Sequence, residues 1–142
     1  MLTYFKVNGF KNLTGVEVAL GPFTCIGGAN GVGKSNLFDA IRFLSALADK
    51  PLMEAALSVR GEGGRGGDIR SIFRRIGAHC ESQISFEVEM LVPSEGTDDL
   101  GQEARATMTF LRYCLVLELA PHGLTIRGET LRHITKAQAL AR

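Results

Sequence analysis

Eight consecutive residues, Gly28-Ala29-Asn30-Gly31-Val32-Gly33-Lys34-Ser35, spell G-x-x-x-x-G-K-S, the Walker A spacing with which a backbone cradles a polyphosphate. A triphosphate needs several N–H donors converging on it at once, and the backbone angles that aim them are ones that residues bearing a Cβ resist. Gly28, Gly31 and Gly33 supply that freedom. Lys34 adds an ammonium for the β- and γ-phosphates, and Ser35 a hydroxyl for Mg²⁺. The helix expected next adds the partial positive charge of its N-terminus. The chemistry implied is the binding of a nucleoside triphosphate with its Mg²⁺.

Such a loop works only between a strand and a helix. Upstream, Phe23-Thr24-Cys25-Ile26 is a short β-rich run closed by Gly27-Gly28, which predicts a strand. Downstream, Leu37, Ala40, Ile41, Leu44, Leu47 and Ala48 recur at helical spacing and predict a helix from about Lys34 to Asp49, ended before Pro51. Before the loop, Leu2 to Val7 and Val16 to Leu20 read as a hairpin around Asn12-Leu13-Thr14-Gly15. A short helix is expected from Pro51 to about Val59. Residues 60–68 then hold five glycines in nine positions and predict a mobile surface loop. Asp68 reads as an N-cap for a helical run carrying Ile69, Ile72, Phe73 and Ile76.

The second half is strand-rich. Gln83 to Val92 alternates, with Ile84, Phe86, Val88 and Met90 on one face and Ser85, Glu87 and Glu89 on a face expected to be wet. A polar acidic connection over residues 93–105 leads to a long strand from Thr107 to Leu119. Its expected hairpin partner is Leu124 to Thr130, across Pro121-His122-Gly123.

Composition sets the outer bounds. A chain of 142 residues that is 45% apolar fits one globular domain with a real core. Its 16 basic and 15 acidic residues leave a net charge of +1, so no overall basic field advertises nucleic acid and any such contact must be local. No apolar run reaches bilayer-spanning length and the first residues lack a signal-peptide pattern, so a cytoplasmic protein without membrane contact is expected. The three cysteines, Cys25, Cys80 and Cys114, read as reduced core thiols. His79-Cys80 has no spaced partners to make a metal site.

The opening Phe5-Lys6-Val7-Asn8-Gly9-Phe10-Lys11-Asn12-Leu13, followed by the loop and by Asn36-Leu37, resembles the N-terminal lobe of an ABC-type AAA-family ATPase head of the SMC/RecF-like or OLD-like group. Asn30 between the loop glycines and Asn36 after Lys-Ser are typical of that group. The resemblance is specific over residues 2 to 48 and rests on element order beyond. It implies an α/β P-loop NTPase fold: a mixed sheet around the P-loop helix, partly antiparallel in its strand-rich second half. It implies ATP and Mg²⁺ as cofactors, held by Gly28, Asn30, Gly31, Val32, Gly33, Lys34, Ser35 and Asn36. It further implies self-dimerisation through the nucleotide and work on DNA, as in repair, chromosome maintenance or phage defence.

By the same resemblance, Lys11 and Asn12 stand where residues approach the adenine or phosphates, although a solvated turn explains them as well. Gln83 resembles a lobe-linking glutamine that senses Mg²⁺, and reads equally as a strand's first residue. Arg60, Arg65, Arg70, Arg74 and Arg75 are the one basic concentration, either a DNA-backbone contact or an ordinary solvated face. The chain departs from the pattern in lacking a Leu-Ser-Gly-Gly signature, an apolar run ending in Asp-Glu and a switch histidine. The nearest approach, Cys114-Leu115-Val116-Leu117-Glu118-Leu119, lacks the Mg²⁺-ordering aspartate, and Glu118 reads as an ordinary strand residue. Residues 1–142 are therefore expected to be an incomplete head that continues past Arg142, with no residue assigned a catalytic role. ATP hydrolysis by the whole head and a non-hydrolysing module that switches assembly with a partner both stand as readings. A small kinase or GTPase fits poorly, since no Asn-Lys-x-Asp base-reading sequence occurs.

Overall fold

The computed structural model describes residues 1–59, 68–97 and 100–140. The expected glycine-rich loop, with Arg60 and Arg65, lies outside the described residues. In chain order the elements are β1 (Leu2–Asn8), β2 (Val16–Ala19), helix α1 (Lys34–Ala46), helix α2 (Leu52–Ser58), a 3₁₀ turn (Ile69–Ile72), β3 (Arg75–Ile76), β4 (His79–Cys80), β5 (Gln83–Leu91), β6 (Glu95–Thr97), β7 (Glu103–Arg105), β8 (Phe110–Ala120), β9 (Gly123–His133) and helix α3 (Lys136–Leu140). Five strands form one sheet in the order β2-β1-β5-β8-β9, and its four pairings are all antiparallel.

Alternation along β1, β5 and β8 puts Phe5, Val7, Ile84, Phe86, Val88, Leu115 and Leu117 on one apolar face, and the helical period of α1 lays Leu37, Ala40 and Phe43 over it. The rings of Phe10, Phe43 and Phe86 meet with centroids 5.7–6.0 Å apart. Pairs of this kind add about 0.5–1.5 kcal/mol each beyond their area burial. This aromatic knot fixes α1, and so the loop at its N-terminus, against the central strands.

Several expectations are corrected. Phe23-Thr24-Cys25-Ile26 forms no strand, and Phe23 is exposed. A β-rich run becomes a strand only with a ladder partner, and among the described residues none pairs with this run. Of the run Ile69–Ile76 only Ile69–Ile72 is helical, a 3₁₀ turn capped by the Asp68 carboxylate, which accepts from Arg70 N. Phe73 leaves the turn to form a bridge with Phe10, and Ile76 sits exposed on β3. Glu89 is fully buried, not wet. Arg112 Nη2 donates to its Oε1 at 2.6 Å, and the same guanidinium reaches the Gln138 carbonyl at 3.3 Å. Through that shared guanidinium α3 is tied to the strand that carries Glu89's partner. A Thr135–Gln138 capping box starts α3: Gln138 N donates to Thr135 Oγ1 at 3.3 Å, and Thr135 N to Gln138 Oε1 at 2.8 Å. The cysteines are free thiols but none is core: Cys25 is exposed, and Cys80 and Cys114 are half-buried. The acidic connection carries its own small hairpin, β6–β7.

Candidate functional site

The loop between Ile26 and α1 has the backbone its glycines predict. Gly28, Gly31 and Gly33 have φ of +153°, +85° and +102°, all in the region that favours glycine. Gly33 is the left-handed N-cap of α1 and offers no side chain to the helix end. The first intrahelical bond runs from Leu37 N to the Gly33 carbonyl at 3.0 Å. The amides of Lys34, Ser35 and Asn36 therefore have no intrahelical acceptor, and by helix geometry they point out past the loop.

In front of them lies a hollow of about 240 Å³ lined by Asn12, Asn30, Gly31, Gly33, Lys34, Ser35 and Asn36. Its walls carry amide, hydroxyl and ammonium groups and no carboxylate, which suits an anion. Lys34 Nζ donates to the carbonyls of Gly28 and Ala29, each at 2.6 Å. The ammonium thus rests on its own loop, held by exposed bonds that an incoming phosphate can replace. These features fit a polyphosphate. They also fit a Mg²⁺ that arrives with it: Ser35 is the one hydroxyl on the hollow, and Mg²⁺ keeps several waters and takes few protein ligands. Among the described residues no group of three or more His, Cys, Asp or Glu could hold a metal alone.

Asn30, Gly31, Gly33, Lys34, Ser35 and Asn36 are brought together as expected, and Asn12 joins them from the β1–β2 turn. Asn36 Nδ2 donates to Asn12 Oδ1 at 2.8 Å. A Cβ on Gly33 would stand 2.9 Å from that same oxygen. Gly28 and Val32, expected with them, do not line the hollow; Val32 is exposed, with a methyl 3.3 Å from where a Gly28 Cβ would be.

Lys11 does not line the hollow. Its Nζ donates to Asp39 Oδ2 on α1 at 2.7 Å, with the two side chains only 7% and 14% exposed. Gln83 does not line it either: its Nε2 lies 3.5 Å from Glu118 Oε1, at the limit of a hydrogen bond. Glu118 is paired with Arg127 of β9 at 2.8 Å, as a strand residue would be. Of the basic concentration, Arg74 pairs with Glu81 at 2.9 Å and Arg75 approaches Asp68 at 3.8 Å.

Sequence reasoning missed Asp39. Its signal was present, since Asn36 and Asp39 are three apart on α1 and so share a face.

Residues 23–95 match the family described as AAA domain, putative AbiEii toxin, Type IV TA system. The DNA replication and repair protein RecF of Clavibacter sepedonicus is 28% identical over 131 residues, which cover 91% of this chain and 31% of the relative. The RecF protein of Clavibacter michiganensis subsp. michiganensis (strain NCPPB 382) is 26% identical over the same extent. The chain thus spans just under a third of these curated relatives. A solved chain, from work on ATP-driven dimerization and DNA-stimulated activation of SMC ATPases, superposes with a TM-score of 0.51 at 19% identity. The match covers 98% of this chain and 75% of that one. At that identity the likeness carries the fold alone.

Proposed function

The chain belongs to the AAA-domain family and is an ABC-type, SMC/RecF-like ATPase chain with the α/β P-loop fold; on that premise we propose that it is the lobe that holds Mg²⁺-ATP in the hollow before α1. The observation that carries the reading is the loop itself: Gly31 and Gly33 at positive φ, unpaired helix-start amides, Lys34 and Ser35 converge on one anion-sized space. Asn30 and Asn36 line the same space. Bound there, Mg²⁺-ATP supplies a γ-phosphoryl group whose charge the loop amides and Lys34 offset.

The walls of the hollow hold no carboxylate, so this lobe binds and orients the triphosphate but contributes no general base from those walls. That favours a lobe whose turnover depends on groups supplied from outside these walls, and it keeps the non-hydrolysing assembly switch as the second reading. The RecF relatives, named for DNA replication and repair, support an ATPase that works on DNA; its cytoplasmic location and its pairing with a second copy across the nucleotide are part of the proposal. Repair, chromosome maintenance and phage defence are the settings such an ATPase serves. Among the described residues no helix is long and apolar enough to cross a membrane.

Calorimetric titration of Mg²⁺-ATP into the chain, with phosphate release followed in the same samples, tests the proposal. Saturable binding that disappears in Lys34→Ala, with the melting temperature unchanged, is the expected result. Equal affinity in the variant would refute the site.

A further inference from the structure

We propose that Lys11 and Asn12 are positioning residues, a two-point clamp that holds the first turns of α1, and with them the phosphate loop, in binding geometry. The inference rests on the nucleotide reading of the hollow and departs from the expectation that Lys11 itself meets the nucleotide. Lys11 grips Asp39 at 2.7 Å and Asn12 grips Asn36 at 2.8 Å, so two adjacent turn residues hold two residues on one face of the helix. Adjacent side chains of an extended chain point to opposite sides. Lys11 has φ +50°, the one positive value outside glycine among the described residues, and that left-handed kink lets both side chains reach α1.

The turn is braced from behind. Lys11 N donates to the Ile72 carbonyl at 2.8 Å, Arg74 N to the Gly9 carbonyl at 2.9 Å, and Phe10 packs on Phe43 of α1. A clamp so backed cannot slide without moving the core. At its open end, Asn12 sits against Gly33 and on the wall of the hollow, so a helix released from the clamp would shift the loop amides relative to one another.

The experiment compares K11M, D39N, the double K11M/D39N and K11R. Mg²⁺-ATP affinity is measured by calorimetry, and amide exchange is followed at Leu37 to Ala40 and along β5 and β8. Each single variant is expected to weaken binding by about 10- to 100-fold, the range for groups that orient a ligand's direct partners. The double should lose no more than either single, and K11R, which can still reach Asp39, should stay near wild type. Exchange should quicken at Leu37 to Ala40 in K11M and D39N while the strands keep their protection. Loss of affinity in K11M with none in D39N would mean that Lys11 touches the nucleotide, and the clamp would be wrong. Faster exchange throughout the chain would reduce the pair to ordinary support of the fold. Should the wild-type chain bind no ATP, the site reading fails, and the clamp is still judged: unchanged exchange at Leu37 to Ala40 in K11M overturns it.

Discussion

Replacing Gly33 by alanine adds one carbon at the junction of loop and helix, and two separate effects follow. The first is conformational: φ is +102°, and an alanine held in such a region costs about 1–2 kcal/mol. The second is steric and local. The new Cβ would stand 2.9 Å from Asn12 Oδ1 and 3.3 Å from a Leu13 methyl carbon. Asn12 is the end of a side chain and can move aside, but only by giving up the hydrogen bond from Asn36, worth about 1 kcal/mol net. Together these predict a destabilisation of about 2–3 kcal/mol in urea unfolding, with the dependence on urea unchanged. Mg²⁺-ATP affinity should fall with it, since Gly33 shapes the hollow. The Asn12→Ala background separates the two effects: there the same substitution should cost only the conformational part, about 1–2 kcal/mol. An equal cost in both backgrounds would refute the contact between Asn12 and the loop, and no cost in either would refute the left-handed cap.

Three further outcomes are expected. Gly9→Ala should destabilise by about 4 kcal/mol or more in chemical unfolding, because φ is +80° and the Cβ would lie 2.4 Å from the Gln83 carbonyl oxygen, a backbone atom on a central strand that cannot step aside. Glu89→Gln should cost about 2–3 kcal/mol by the same measurement. That is less than the ~3–5 kcal/mol for breaking a fully enclosed pair, because Arg112 is 22% exposed and keeps Glu87 at 3.4 Å. Burial, then the hydrogen bond to Glu129, raises the Tyr113 phenol above its ordinary value. The folded chain thus holds that proton more tightly than the unfolded chain. The stability it contributes is complete below about pH 10 and is lost as pH rises through the higher folded value. Melting temperature measured against pH should decline less steeply above pH 10 in Tyr113→Phe than in wild type, and identical slopes would exclude this tyrosine as the cause.

The loop, α1, the opening hairpin and β5 were legible because each rests on local rules. The glycine spacing fixes the loop, the period of Leu37, Ala40 and Leu44 fixes the helix, and alternation fixes the strand. Features that depend on what lies across space were not legible. Alternation assigns Glu89 to the wet side and cannot know that the Arg112 guanidinium meets it in a buried place. Phe23–Ile26 carries strand composition, but composition cannot show whether a strand lies alongside it to complete a ladder. Phe73 continues a helical spacing, yet packing against Phe10 draws it out. Lys11 illustrates the same limit within the site: its charge and position suit a phosphate, and only the fold reveals Asp39 beneath it.

The place of β1 in the sheet has a consequence for how the molecule comes into being. It pairs on one side with β2, just beyond a turn, and on the other with β5, so that Leu2 lies opposite Met90. At ribosomal speeds of about 5–20 residues per second, roughly 4–18 s separate the emergence of these two partners. Every residue lining the hollow has left the ribosome early in that interval, while Phe5, Val7 and Phe43 still lack Phe86, Val88 and Leu115. A nascent chain halted before β5 would carry the whole phosphate motif on an open strand edge and an unburied aromatic face, which is what chaperones hold. The part of the chain written first thus stays open on one side until β5 arrives, and nucleotide offered during synthesis would find a competent site only after that distant strand is in place.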